Sequence, residues 1–276
     1  MEHLQPNQPI GIFDSGIGGL TVAKAIHDHL PNEQLLYFGD TAHLPYGDKS
    51  SEAILHYAES ITQYLLDKGC KMVVIACNTA SAVAHEHLQF KFGDQIPIIN
   101  VIDPVVKATL KLPAVKRIGV IGTKGTIQSN TYEKRIRSIA AELQVASLAT
   151  PLLVPMIEEG YFDNQISHTI IEAYLNYPDF LHIDALILGC THYPLIKTAI
   201  EDHLQGKVPV MDSTDVVAQS VQQRLQRFGL LHEGPASTHH FMVSDYTHSF
   251  EQTARLFFQE DISLEHVPIW DQIESH

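Results

Sequence analysis

Short apolar runs alternate with amphipathic segments from Ile10 onward, and this alternation limits the folds that the chain can adopt. The runs IGIF, LLYFGD, KMVVIACN and PIINVI have the length and composition of strands. The segments between them repeat apolar residues at helical spacing, as Leu20, Ala23 and Ile26 illustrate. Strands that are apolar on both faces are typical of parallel sheets covered by helices. We therefore predict an α/β fold with mostly parallel sheets.

A second cycle of the same kind begins at KRIGVIGTKGT and reaches IDALILGCTHYPLIKTAI. Ile10 matches Ile118 at an offset of 108 residues, and Cys77 matches Cys190 at an offset of 113 residues. Offsets this similar indicate a duplicated unit. We predict two pseudo-symmetric α/β domains with the active site in the cleft between them. The predicted boundaries give a first domain of residues 1-101 plus 213-276 and a second domain of residues 102-212.

Each cycle places one cysteine at the carboxyl end of a strand, where open α/β sheets bind ligands. Cys77 follows VVIA and Cys190 follows LILG, so the two thiols occupy equivalent places in the two domains. Two thiols on opposite sides of a cleft can invert a carbon acid, because one removes a proton from one face while the other delivers a proton to the opposite face. Each thiol then alternates with its thiolate, and needs a neighbour that manages its proton.

Polar residues near the cysteines are candidates for that task. Asp14 ends the strand in IFDSG of the first cycle, and His192 lies two residues after the second cysteine. An acid beside one thiol and an imidazole beside the other can each accept the thiol proton. Asn78, Thr79 and Thr191 add amide and hydroxyl groups at the starts of helices, where free backbone N–H groups favour a carboxylate.

Two other uses of cysteine remain open from the residues alone. A buried cysteine is commonly an inert small hydrophobe, and we predict this role for Cys70, which precedes a strand. Zinc binding by Cys77, Cys190 and His192 is the second alternative. The chain lacks the short CxxC or HxxxH spacing typical of structural zinc sites. We therefore predict no metal.

Composition and charge argue against several classes of protein. The chain has 18 Lys and Arg against 32 Asp and Glu, and its formal net charge of −14 repels nucleic acid. The start, MEHLQPNQPI, lacks the features of a signal peptide, and no apolar run is long enough for a membrane helix. The 3 cysteines, odd in number and far apart, argue against a disulfide framework. We expect a cytoplasmic protein with reduced thiols that binds neither nucleic acid nor membranes.

The motifs DSGIGGLTV, FGDTAHLPYG, ACNTAS, GTKGT and GCTHYPL together resemble the glutamate racemases of the aspartate/glutamate racemase superfamily, which supply D-glutamate for peptidoglycan without a cofactor. The resemblance implies that Cys77 removes the α-proton of D-glutamate with help from Asp14. It implies that Cys190 removes the α-proton of L-glutamate with help from His192, and that Glu158 is an acidic neighbour on that side. It also implies a homodimer and a reaction that uses no cofactor.

The same resemblance implies which residues contact glutamate. The implied substrate-binding residues are Asp14, Ser15, Tyr46, Gly47, Asn78, Thr79, Thr123, Thr191 and His192. The protein as a whole is an anion, so local dipoles must hold a dianionic substrate.

Three other functions are compatible with parts of the sequence. Aspartate racemase shares the chemistry, and its substrate differs from glutamate by one methylene group. A dinucleotide-binding oxidoreductase is suggested by Gly16, Gly18 and the acid Asp40, although Thr21 stands where a third glycine is expected. A non-catalytic protein that closes two domains on an amino acid is the third alternative, but it has no need for two matched thiols.

Overall fold

The computed structural model describes residues 4–273, and in this part of the chain ten strands form two separate sheets. The strands are β1 (Ile10–Asp14), β2 (Leu35–Gly39), β3 (Met72–Ile75), β4 (Ile98–Asn100), β5 (Arg117–Gly122), β6 (Gln144–Ala149), β7 (Ala185–Gly189), β8 (Val210–Met211), β9 (His240–Val243) and β10 (Leu264–His266). The first sheet has the order β10-β9-β2-β1-β3-β4, and the second has the order β6-β5-β7-β8. Every pairing between these strands is parallel. The predicted α/β fold is confirmed.

Helices connect the strands of both sheets. They are α1 (Leu20–His29), α2 (Ser51–Asp67), α3 (Asn78–Phe92), α4 (Ile102–Thr109), α5 (Lys124–Gln128), α6 (Thr131–Ile139), α7 (Leu153–Glu158), α8 (Gln165–Leu175), α9 (Lys197–His203), α10 (Thr214–Phe228), α11 (His248–Phe258) and α12 (Ile269–Ile273). In the described part of the chain, none of these helices combines the length and the apolar composition needed to cross a membrane.

The two sheets repeat one arrangement around their central strands. In the first sheet β1 lies between β2 and β3, and in the second sheet β5 lies between β6 and β7. The strands that precede the two cysteines, β3 and β7, therefore occupy the same place in each sheet. Strand β9 pairs with β2, so the chain returns to the first sheet after it has formed the second. The domain boundaries at residues 101 and 213 stay a prediction.

One apolar cluster contacts both sheets. Ile12 of β1 and Leu188 of β7 belong to it, together with Ile26 of α1 and Val221 of α10. Burial of an aliphatic side chain of this size contributes about 1.5–3 kcal/mol. Because the cluster includes residues from both sheets, the same burial stabilises each sheet and their relative position.

A buried ion pair connects the segments that precede strands β2 and β3 of the first sheet. Lys71, directly before β3, is fully buried, and its Nζ lies 2.5 Å from Glu33 Oε2. The ammonium also donates to the carbonyl groups of Pro6 and Leu230. The Glu33 Oε1 accepts the His232 backbone N–H at 2.9 Å. Loss of one charge would leave the other buried without its partner, which is strongly unfavourable.

The substitution Lys71→Met is expected to lower the free energy of unfolding by about 3–5 kcal/mol, because the Glu33 carboxylate stays buried without a counter-charge. Urea unfolding followed by circular dichroism measures the loss. Lys91→Met is the matched control, since Lys91 pairs with Glu59 at the surface and its loss should cost less than about 1 kcal/mol. Equal losses in the two variants would contradict the expectation.

Candidate active site

The carboxyl end of β3 positions the first cysteine. Cys77 is the N-cap of α3, where its Sγ accepts the Ala80 N–H at 3.4 Å. The thiol donates to Ser15 Oγ at 3.6 Å. Burial raises the pKa of Cys77 to about 12, and the nearby Asp14 carboxylate acts in the same direction. Cys77 is therefore a thiol at neutral pH.

Asp14, the last residue of β1, is held by the backbone of the glycine loop. Its Oδ2 accepts the N–H groups of Gly16 and Gly19 at 3.1 and 3.0 Å. Its Oδ1 is buried and has no hydrogen-bond partner among residues 4–273. Burial raises the pKa of Asp14, although the charge of His192 and the backbone donors oppose this shift. One carboxyl oxygen is thus fixed while the other is open to a further hydrogen bond.

The second cysteine belongs to a row of three titratable side chains. Cys190 directly follows β7, and its Sγ is 3.8 Å from His192 Nδ1. The other ring nitrogen, Nε2, is 3.0 Å from Oε1 of Glu158, the last residue of α7. Burial lowers the pKa of His192, but hydrogen bonds to Cys190 and Glu158 outweigh it and raise this pKa to about 10. At neutral pH a positive charge therefore lies beside Cys190.

The two cysteines line one cavity of about 210 Å³ where the two sheets meet. Eleven of the predicted site residues are in its wall: Ser15, Tyr46, Gly47, Cys77, Asn78, Thr79, Thr123, Glu158, Cys190, Thr191 and His192. Asp14 is the exception, because it is buried in the loop beside Ser15 and Gly16 and is not part of the wall. The structure brings these residues together, while their individual roles stay predictions.

A buried carboxylate supports the Tyr46 side of the cavity. Asp40, which follows β2, is fully buried. Its carboxylate accepts hydrogen bonds from the Tyr46 hydroxyl at 2.7 Å, the Ser244 hydroxyl at 2.8 Å and the Trp270 indole at 2.8 Å. The same carboxylate lies 3.0 Å from His43 Nδ1. With its oxygens engaged in this way, Asp40 is not placed to bind a ribose hydroxyl, which weakens the dinucleotide alternative.

Three threonine hydroxyls connect α3 with α5 beside the cavity. The Oγ1 of Thr79 lies 2.9 Å from that of Thr123 and 3.2 Å from that of Thr126. The hydroxyl oxygens of Thr123 and Thr126 are 3.0 Å apart. A hydroxyl group donates once and accepts twice, so this set can offer either a donor or an acceptor to a ligand. Thr126 is not among the predicted site residues.

The glycine loop after β1 packs directly against the loop of the second cysteine. A Cβ on Gly18 would lie 2.4 Å from His192 Cε1 and 2.7 Å from Thr191 Oγ1, so only glycine leaves room here. The Thr21 hydroxyl donates to the Thr191 carbonyl at 2.9 Å. Thr21 stands where a dinucleotide-binding loop has its third glycine. In this chain the glycine loop leaves space for the His192 ring, and the Thr21 hydroxyl links α1 to the loop that follows β7.

Possible metal ligands cluster away from the cavity. Within residues 4–273, one group of three side chains brings metal-ligating atoms within 4.8 Å of one another, namely His27, Asp28 and Glu260. The Lys24 ammonium lies 2.5 Å from Asp28 Oδ1 and 3.4 Å from Glu260 Oε1. This ammonium competes with a metal ion for the same two carboxylates.

Comparison with known proteins identifies the family. A family model described as Asp/Glu/Hydantoin racemase matches residues 21–221. The chain belongs to this family. A glutamate racemase of Geobacter metallireducens is 42% identical to it over 253 residues, which cover 91% of this chain and 93% of the relative.

Solved racemase structures have the same fold. The glutamate racemase from Francisella tularensis subsp. tularensis in complex with D-glutamate has a TM-score of 0.89 and 38% identity, covering 95% of this chain and 98% of the other. Glutamate racemase isoform RacE1 from Bacillus anthracis has a TM-score of 0.91 and 36% identity, covering 96% and 99%. The predicted relationship to glutamate racemases is confirmed.

Part of the cavity wall comes from residues outside the racemase motifs. Val154 and Pro155 of α7 and Phe250 of α11 give the cavity an apolar side. Phe257, also in α11, packs edge-on against His192 with the ring centres 5.0 Å apart. The sequence signal for these positions is only the apolar face of a helix, which any core helix shares.

The substitution Gly18→Ala is expected to displace His192 from Cys190 and Glu158, because the new Cβ overlaps the ring. The ring would lose the hydrogen bonds that raise its pKa, while burial would still lower it, so the pKa of His192 should fall from about 10. An NMR titration of the ring, assigned by comparison with His192→Gln, measures this change.

The matched control is Gly16→Ala in the same loop, where an added Cβ meets nothing nearer than Leu44 Cδ2 at 3.7 Å. The pKa of His192 should stay at its original value in this variant. An unchanged pKa in Gly18→Ala would show that the loop does not position the ring.

Proposed function

We propose that this chain interconverts L-glutamate and D-glutamate without an added cofactor. The observation that carries the proposal is the pair of buried cysteines, Cys77 and Cys190, at equivalent strand ends in the wall of one cavity. Membership of the racemase family and the glutamate racemases among the relatives support glutamate as the substrate.

In the L-to-D direction, the Cys190 thiolate removes the α-proton of L-glutamate, and the electron pair of the broken C–H bond stays on the substrate. The Cys77 thiol then gives its proton to the opposite face of the same carbon. The product is D-glutamate, with the proton now on Cys190 and the charge on Cys77. The D-to-L direction begins from this second state, so the two directions use the cysteines in opposite order.

His192 stabilises the charge on Cys190 in this proposal. An imidazolium 3.8 Å from the sulfur favours a thiolate, and Glu158, 3.0 Å from the other nitrogen, keeps the ring oriented and charged. The pKa of His192 is raised to about 10, so the ring carries its charge below that pH and loses it above. Proton removal from L-glutamate should therefore weaken as the pH rises through about 10.

Asp14 manages the proton of Cys77 in this proposal. Burial raises the pKa of both groups, and two negative charges so close together are unfavourable. Whenever Cys77 is a thiolate, the Asp14 carboxyl group is therefore expected to hold a proton, taken from the Cys77 thiol itself in the resting enzyme or from water after the L-to-D reaction, and Cys77 then takes up the α-proton of D-glutamate. The unpartnered Oδ1 is the oxygen available to hold the Asp14 proton.

The remaining predicted residues are proposed to hold the two carboxylates of glutamate. Ser15, Thr79, Thr123 and Thr191 bring hydroxyl groups to the cavity wall, and Asn78 brings an amide. The first turn of α3 adds backbone N–H groups with the positive end of the helix dipole. Tyr46 and Gly47, also in the wall, are proposed to complete the site from the first sheet.

The family relationship also supports a wider setting for this activity. We propose that the product serves peptidoglycan synthesis in the cytoplasm, and that the protein works as a homodimer. We also propose the domain division into residues 1-101 plus 213-276 and residues 102-212. The pairing of β9 with β2 supports this division, because it returns the C-terminal segment to the first sheet.

Incubation of the purified protein with L-glutamate in heavy water, with a chelator and without added cofactor, is expected to yield D-glutamate and to replace the α-proton by deuterium. Optical rotation and proton NMR follow the two changes. A folded protein that exchanges no α-proton would overturn the proposal. Faster turnover of L-aspartate would favour an aspartate racemase, and saturable NAD binding without exchange would favour an oxidoreductase.

The variants Cys77→Ala and Cys190→Ala are each expected to reduce inversion by at least about 100-fold, because each removes one of the two proton-transferring groups. Cys70→Ala is the matched control, since Cys70 is buried but lies outside the cavity, and its loss should leave turnover intact. Polarimetry from both enantiomers measures the rates. Retained inversion in either cavity variant would refute the two-base assignment.

A further inference from the structure

Tyr132, in α6, contacts a neighbour of each cysteine. Its hydroxyl donates to Asn78 Oδ1 at 2.6 Å, and Asn78 directly follows Cys77. Its ring packs against Gly189, where an added Cβ would lie 3.1 Å from Tyr132 Cε2, and Gly189 directly precedes Cys190. Tyr132 is buried and is not part of the cavity wall. It therefore reaches the site only through the residues beside the cysteines.

The Tyr132 hydroxyl determines which end of the Asn78 amide faces it. Among residues 4–273, the bond to Asn78 Oδ1 is the only side-chain hydrogen bond that this hydroxyl makes. Burial, with a smaller effect of Cys190, raises the pKa of Tyr132, so the phenol keeps its proton and acts as a donor. If the Asn78 amide were rotated by half a turn, the Tyr132 O–H group would face the NH₂ group and have no acceptor. Tyr132 therefore holds the oxygen and leaves Nδ2 for another partner.

The Nδ2 group of Asn78 has no such partner within the described residues, although it is buried. Asn78 is 3% exposed and forms part of the cavity wall. A buried N–H donor without an acceptor is unfavourable and rare in folded proteins. A ligand oxygen in the cavity would satisfy it, and a carboxylate forms the stronger, charge-assisted hydrogen bond with such a donor.

We propose that Tyr132 is a positioning residue for substrate binding, because it orients the Asn78 amide so that Nδ2 donates to a carboxylate of glutamate. This inference rests on the proposed function. The carboxylate is present in the substrate and in the transition state alike, so this hydrogen bond contributes to binding in both. Its loss is therefore expected to raise KM and to leave kcat nearly unchanged.

The test is Tyr132→Phe, which keeps the ring against Gly189 and removes only the hydroxyl. The KM for both enantiomers, and the Kd for D-glutamate measured by calorimetry, should rise roughly tenfold, while kcat changes less than about threefold. Tyr64→Phe is the matched control, because the Tyr64 hydroxyl donates to Met242 Sδ at 3.4 Å, away from the cavity. Thermal unfolding verifies that both variants fold.

A double-mutant cycle with Asn78→Ala separates positioning from a general structural effect. When Asn78 is already absent, Tyr132→Phe should add no further increase in the Kd for D-glutamate. Additive losses, or an unchanged Kd in Tyr132→Phe, would overturn the inference while the wild-type protein still binds and racemises glutamate. A wild-type protein that neither binds nor racemises glutamate would overturn the proposed function and this inference together.

Discussion

The removal of two thiols from water is the constraint on which the rest of the site depends. Cys77 and Cys190 are 5% and 6% exposed, and burial disfavours the thiolate form of Cys77. The two halves of the molecule respond differently. Cys77 lies beside another acid, Asp14, so its surroundings favour the thiol, whereas Cys190 lies 3.8 Å from the ring of His192, whose pKa is raised to about 10. The two sheets are alike in topology but differ in the titratable group beside each cysteine, an acid at Cys77 and an imidazolium at Cys190, and the proposed proton transfer depends on this difference.

The second constraint is the space between the glycine loop after β1 and the loop that contains Cys190 and His192. Gly18 has no Cβ to occupy the volume filled by the His192 ring, and the Thr21 hydroxyl closes the same contact by its bond to the Thr191 carbonyl. The contact joins the start of α1 to the end of β7, so the position of the imidazole depends on the backbone of the other sheet. A glycine-rich loop that suggests phosphate binding in a single sheet thus has another use where two sheets meet.

The sequence could predict the features that depend on local pattern. The strands β3 and β7 are short, fully buried runs of apolar residues, which the sequence pattern identifies as strands. The positions of Cys77 and Cys190 at the ends of these strands could therefore be predicted. Glu158 beside His192 was expected only from the family resemblance. Strand β6 was not predicted, because it lies at a sheet edge and only Ala146 among its residues is buried. The placement of Asp14 inside its loop, and the bond from Tyr132, depend on backbone paths and distant packing that residue spacing does not encode.

The strands that complete the first sheet are the last to be synthesised. All strands of the second sheet lie within residues 117–211, so they leave the ribosome in one continuous stretch. The edge of β2 has no strand beside it until β9 emerges, and an unpaired edge is a template for wrong association. A nascent chain that stops short of His240–Val243 therefore leaves one edge of β2 without the strand that covers it in the folded protein.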